Sequence, residues 1–311
     1  MHMSRIINTI LLNLFWLSFV NSQQLPHSSL FTETRDLWNP ANTAQGDKFY
    51  VDVFMRQQWL GFGSGAPTTG FAGLQVPFVE MNMAAGGNLI FDKTGPVSKL
   101  GLNLNYAYKL NEVLGDDSQL SLGVSGGFSN YSLNTTGLIV NNGSDDLING
   151  GKVSKFFPSL GAGLYFVSNT DERRASHAFD VGFSMLQAYE TNLLVGNQNQ
   201  KRFSHYVFNM GTKFYGDDGV FYPTFLINFV SPEIMDLQFG AKYEVNNKFW
   251  AGLGYSNVSD ISVQGGVIMS EFGSRYARLR LGALGNISIS DNVSHLGPGF
   301  EVLVRYEFDM D

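Results

Sequence analysis

The sequence predicts an all-β chain, a transmembrane β-barrel of the outer-membrane type with about fourteen antiparallel strands. Three observations predict it. From Lys48 to the end, apolar residues alternate with small or polar ones at a period of two. Only 15% of the 311 residues are charged and 44% are hydrophobic, against ~25% charged in soluble domains. Even so, no apolar run after the N-terminus approaches the ~18 residues of a membrane helix. Aromatic residues, among them Trp59, Tyr106, Tyr108, Trp250, Tyr306 and Phe308, gather near strand ends, as in the girdles of a barrel at its two water interfaces.

The formal net charge of −7 provides no basic surface, so nucleic acid is not an expected partner. The chain has no cysteine, which excludes a disulfide framework, a thiolate metal site and a cysteine nucleophile. A closed ladder of strand hydrogen bonds supplies the constraint instead.

Residues 1–22 read as an export signal: Arg5 opens it, an apolar stretch follows from Ile6 to Val20, and Val20-Asn21-Ser22 is a small-residue cleavage pattern. A membrane anchor is the alternative, disfavoured by the short span and by Asn8, Thr9 and Asn13 within it. Residues 23–47 are polar and weakly periodic. With Asn39-Pro40 as a turn former, they read either as a segment tucked inside the sheet or as a linker. Residues 48–311 form the barrel.

The first strand sets Phe49, Val51, Val53 and Met55 against Tyr50, Asp52, Phe54 and Arg56, and a glycine-rich reversal follows at 61–67. The most regular later strands set Leu100, Leu102, Leu104, Tyr106, Tyr108 and Leu110 against Lys99, Gly101, Asn103, Asn105, Ala107 and Lys109. The final one sets Phe300, Val302, Val304, Tyr306 and Phe308 against Glu301, Leu303, Arg305 and Glu307. An even strand count places both ends of the barrel in the periplasm, and the long connections 133–155, 189–202 and 285–296 then all fall outside the cell.

A Lys or Arg facing lipid at mid-bilayer costs about 2–4 kcal/mol. Asp52, Arg56, Lys242, Arg278, Arg280, Glu301 and Arg305 are therefore expected in the lumen, with Arg278 and Arg280 pairing to acidic residues of the last strand such as Glu301 and Glu307. The inward faces are also rich in glycine, including Gly101, Gly123, Gly161, Gly163, Gly182, Gly240, Gly252, Gly254 and Gly282. We read these as permitting strand coiling; the alternative is space left for a ligand or a segment.

Catalytic and cofactor patterns are weak. Gly61-Phe62-Gly63-Ser64-Gly65 lacks the spacing, the lysine and the helix of a phosphate loop and reads as a turn. His177, Asp180 and His205 are the one set that a fold might assemble into an acid–base cluster, but no nucleophile motif accompanies them. Asp145-Asp146 and Asp217-Asp218 do not match a calcium loop. Asp171-Glu172-Arg173-Arg174 reads as a charged periplasmic turn, and Asn134-Thr135-Thr136 as an ordinary loop tripeptide. No enzyme activity, metal or cofactor is expected.

Arg56-Gln57-Gln58-Trp59, Gly61, Gly63 and Ala66-Pro67-Thr68, preceded by Asn39-Pro40-Ala41, resemble the opening pattern of the PorP/SprF family, outer-membrane proteins associated with type IX secretion and gliding in Bacteroidetes. The likeness continues through Asp92-Lys93-Thr94-Gly95-Pro96, Lys248-Phe249-Trp250-Ala251-Gly252-Leu253 and the closing Gly299 to Tyr306 stretch. It marks Asn39, Pro40, Arg56, Gln57, Trp59, Gly61, Gly63, Pro67 and Thr68 as structural or partner-binding. The resemblance implies a bacterial outer-membrane location and a non-enzymatic role in bringing a large secreted substrate, such as an adhesin, to the cell surface. Contact with other components of the secretion machinery is implied as well. The rival expectation is a diffusion or uptake channel for a small solute.

Overall fold

The protein is described by a computed structural model covering residues 28–63, 65–135, 152–170, 175–189, 191–195, 198–231, 234–257, 260–289 and 294–310. The expected export signal at 1–22, residues 23–27, Asp145-Asp146, 171–174 and most of the connection 133–155 lie outside the described residues.

Fourteen strands close into one antiparallel barrel. They are β1 (Lys48–Gln57), β2 (Thr68–Phe78), β3 (Met83–Thr94), β4 (Val97–Asn111), β5 (Gln119–Asn134), β6 (Lys152–Val167), β7 (His177–Leu186), β10 (His205–Tyr215), β11 (Gly219–Ser231), β12 (Ile234–Val245), β13 (Phe249–Ser256), β14 (Asp260–Ser270), β15 (Ala277–Ser288) and β16 (Gly299–Asp309). Each pairs with its neighbour in sequence, and β1 closes the ring on β16 from Lys48 opposite Asp309 to Gln57 opposite Phe300. The connection after β7 carries its own two-stranded hairpin, β8 (Thr191–Val195) and β9 (Gln198–Arg202).

Alternation decides which face is which. Leu104, Phe128 and Val263, at mid-strand, are each more than 60% exposed on the outer wall. Such an apolar belt is stable only against lipid. Among the described residues no helix is long and apolar enough to cross a membrane; the strands do the crossing. Lys48 and Asp309 sit at one end of the barrel, where the connections are short. The longest connections, 135–151 and 187–204, and the two of intermediate length, 58–67 and 289–298, are all at the other end.

The interior differs from expectation in three respects. Trp250, expected in an aromatic girdle, is 3% exposed and points inward, because Phe249 takes the lipid side of β13 and the alternation turns the next residue into the lumen. Phe54 and Leu303 of the inward sets are joined by Phe71, Ile90, Trp250, Ile268 and Leu284 in an apolar cluster around Leu30 of the N-terminal segment, which the alternation of single strands did not reveal. The inward glycines do more than relieve curvature. A Cβ at Gly123 or Gly163 would fall within 3.0 Å of Ala41 N or Asn39 Oδ1, so at these positions the wall is bare to admit another part of the chain.

Candidate functional site

Residues 28–47 run through the lumen and engage the wall on every side. A four-residue helix, α1 (Arg35–Trp38), is followed by a 3-10 turn at Pro40–Asn42. The turn forms because Pro40 supplies a pre-set φ at its first position and Asn39 caps it, Oδ1 accepting from Ala41 N at 2.9 Å. The same Asn39 side chain donates through Nδ2 to the Leu164 carbonyl of β6 at 2.9 Å. One short amide thus ends the helix and fixes it to the wall.

Around that turn the contacts are specific. Ser184 of β7 donates to the Trp38 carbonyl, Gln45 donates to Ser121 of β5, and Gln75 of β2 accepts from Ala44 N. Lys109 of β4 binds both the Ala44 carbonyl and Asp47 at 2.6 Å. Phe31 and Trp38 pack with Val207 and Leu226 of β10 and β11. Arg35 donates to the hydroxyls of Tyr165 at 2.9 Å and Tyr222 at 2.6 Å, and Tyr222 in turn donates to Asp180 at 2.8 Å.

The electrostatic centre is Glu33, 3% exposed. Lys242 of β12 donates to its carboxylate, Arg305 of β16 approaches to 3.6 Å and Arg280 of β15 to 3.8 Å. Arg305 also donates to the Glu33 carbonyl and to Asp52, while Arg280 binds Glu244 at 2.6 Å. Lys242 additionally lies over the Trp250 ring, 5.6 Å from its centre. Burial alone would raise the Glu33 carboxyl, but the charges of Lys242, Arg280 and Arg305 hold it well below the usual carboxylate range. Three residues on, Asp36 has the opposite environment. Burial first, and the nearby Asp52 charge second, push its carboxyl up to about 7, and its Oδ1 has no hydrogen-bond partner among the described residues.

The expected ion pairs are only partly as drawn from the sequence. Arg278 does meet Glu307, at 2.8 Å. Glu301 instead pairs with Arg56 of β1 at 3.2 Å and accepts from Ser28 and Ser29 of the segment. The register is the reason: Glu301 lies opposite Arg56 on one side and Leu284 on the other, while Arg280 lies opposite Arg305, a like charge. Glu33 meets the cations that the last strand does not. Sequence reasoning missed Glu33, Arg35 and Asp36; their only signal was a cluster of charges in an otherwise weakly patterned stretch.

Two cavities flank the segment. A polar vestibule of about 990 Å³ opens at the end that carries Lys48, among turn residues such as Glu112, Asp116, Asn169 and Asn247, and reaches Glu33, Lys242, Arg280 and Arg305. A chamber of about 40 Å³ lies on the far side, lined by Asn88, Lys99, Asn105, Ser129, Gln187 and Arg202. Asp36 lines both.

The other marked residues build the rim opposite the barrel end that carries Lys48 and Asp309. Gln57 donates to the Pro67 carbonyl and accepts from Thr68, closing the base of the turn. Trp59 adopts a φ of 51° and stacks edge-on with Phe62, while Gly63 takes a φ of 79°. Gly61 N donates to the Leu296 carbonyl at 2.9 Å, and a Cβ there would press on that carbonyl, so this turn is locked to the connection 289–298. His177 and His205 are not brought together. His177 pairs with Phe214 and His205 with Leu186, at opposite ends of the β7–β10 ladder. Nine residues of strand separate them, about 30 Å. Asp180 is committed to Tyr222, and Asp217-Asp218 are exposed in a short turn.

The barrel is similar to solved structures in fold alone. The CymD monoaromatic hydrocarbon channel aligns with a TM-score of 0.52 at 12% identity, over 88% of this chain and 91% of that one. A Pseudomonas aeruginosa FadL homologue aligns at 0.50 and 12% identity, over 88% and 93%. No curated protein sequence matches. The family described as type IX secretion system membrane protein PorP/SprF matches residues 20–306, nearly the whole chain, and the protein belongs to that family.

Proposed function

We propose that this protein is a non-enzymatic component of the type IX secretion or gliding machinery that helps secrete, dock or display a large surface substrate such as an adhesin. It is an outer-membrane β-barrel of a secretion-system family. The observation that carries the reading is the family match over residues 20–306. The lumen supports docking over conduction: residues 28–47 fill its middle through specific bonds to opposite walls, leaving the rim connections and the vestibule as surfaces for partners. The substrate engages the long connections outside the cell, and periplasmic components of the machinery meet the end bearing Lys48 and Asp309. Residues 1–22 direct export, and 28–47 act as the plug of the barrel. Deleting the gene and scoring surface display of a large adhesin tests the proposal; unchanged display overturns it.

A second reading, a channel for a small solute, is favoured by the polar vestibule of about 990 Å³ and by the fold shared with the CymD channel. Stable conductance of the unaltered protein in planar bilayers supports that reading, and silence supports the closed docking barrel.

A further inference from the structure

We propose that Glu33 is a releasable latch: its contacts with Lys242, Arg280 and Arg305 hold residues 28–47 across the lumen, and their loss joins the two flanking cavities into one aqueous path. The inference concerns the state of the lumen and stands whichever substrate the machinery carries.

Three features support it. First, two of the three wall cations keep counter-ions when Glu33 leaves, and the third keeps an aromatic partner. Arg305 retains Asp52, Arg280 retains Glu244, and Lys242 retains the Trp250 ring. An anchor whose departure would strand several buried charges could not be withdrawn without collapse of the wall. Here Arg305 and Arg280 keep carboxylates of the wall, and Lys242 alone is left to an aromatic face. Second, Arg280 and Arg305 sit directly opposite each other in the β15–β16 ladder. Glu33 offsets their repulsion while bound, so the latch is worth more than one pair contact. Third, all four groups face the vestibule, and Asp36 three residues on lines both cavities. The partition at α1 is therefore thin, and an anion or a partner entering from the vestibule reaches the latch directly.

Apolar packing of Leu30, Phe31 and Trp38 also holds the segment. It is the same in both charge states and does not respond to what enters the vestibule. Asp47 and Arg35 also make charged contacts with the wall, to Lys109 and Asp180. Glu33 is the carboxylate that meets three cations at once, so an incoming anion has most to replace there.

The absence of cysteine makes the test clean. Thr34 is fully buried beside the latch, so Thr34→Cys places a single thiol on the segment. In outer-membrane vesicles, a membrane-impermeant maleimide should label Thr34→Cys slowly, and should label it roughly a hundredfold faster or more when Glu33→Ala is added, the scale expected for loss of one member of a buried ion pair. The full chain carrying Glu33→Ala should also show stepwise conductance in planar bilayers, where the unaltered chain is silent. A heat-modifiable shift on gel electrophoresis confirms a closed barrel; if the alanine variant does not fold, Glu33→Gln provides the same comparison. Equal labelling rates with and without Glu33, or conductance without faster labelling, overturn the proposal.

Discussion

Asn39 and Gly163 share one space. The Asn39 side-chain oxygen lies where a Cβ on Gly163 would be, and the Asn39 amide nitrogen binds the carbonyl of the next residue, Leu164. The wall is cut away at one residue and bonded at its neighbour, so β6 and the segment form as a matched pair.

Gly163→Ala therefore disturbs the segment rather than the strand. Overpacking of this kind costs about 1–3 kcal/mol. Trypsin should cleave after Arg35 faster in Gly163→Ala than in the unaltered chain. Gly285→Ala, where an added Cβ meets nothing within 4 Å, should leave cleavage unchanged. Equal cleavage in both variants would show that the bare wall at Gly163 serves curvature alone.

The Arg56–Glu301 pair predicts strong non-additivity. Both residues are at most 1% exposed, and Glu301 also carries Ser28 and Ser29. Arg56→Met leaves a buried carboxylate without its cation and should cost about 3–5 kcal/mol, whereas Arg56→Met with Glu301→Leu should recover part of it, the remainder reflecting the acceptor that Ser28 and Ser29 lose. Urea midpoints in detergent of the unaltered chain, Arg56→Met, Glu301→Leu and the double variant measure this; additive losses would mean that the pair is not coupled.

Asp36 predicts a pH dependence with a definite sign. Its carboxyl is raised from 3.8 to about 7 in the folded protein. A raised value means that its contribution is complete below its ordinary range and is lost as pH rises through about 7, where the buried group must ionise. The melting midpoint should thus fall between about pH 4 and about 7 and then level off, because the unfolded chain ionises from 3.8 upward while the folded carboxyl keeps its proton until about 7, and Asp36→Asn should shrink that fall. An identical fall in the variant would remove Asp36 as the cause.

Much of the barrel was legible because a strand between lipid and lumen has only two faces. The sets beginning at Leu100 and Phe300 separate by alternation alone, and the penalty for a charge in lipid assigns Asp52, Lys242 and Arg305 to the inside without knowledge of any partner. The site was less legible. Trp250 is inward although aromatic residues collect at girdles, because the parity of its strand overrides the tendency of its type. Glu301 and Arg280 are a residue type and a face in the sequence, and a pairing only once the register is known. Asn39-Pro40-Ala41 was visible as a turn, but Gly123 and Gly163, which receive it, were indistinguishable from glycines that relieve coiling.

The sequence by itself determined an outward-apolar barrel of about fourteen strands and the sign of what faces its lumen, since both follow from a period of two and the cost of charge in hydrocarbon, and the structure fixed the count at fourteen. Only the tertiary structure decided that residues 28–47 fill that lumen and that Glu33 sits among Lys242, Arg280 and Arg305. Those contacts join residues about two hundred or more positions apart, and no local pattern encodes a distance that exists only after the ring has closed.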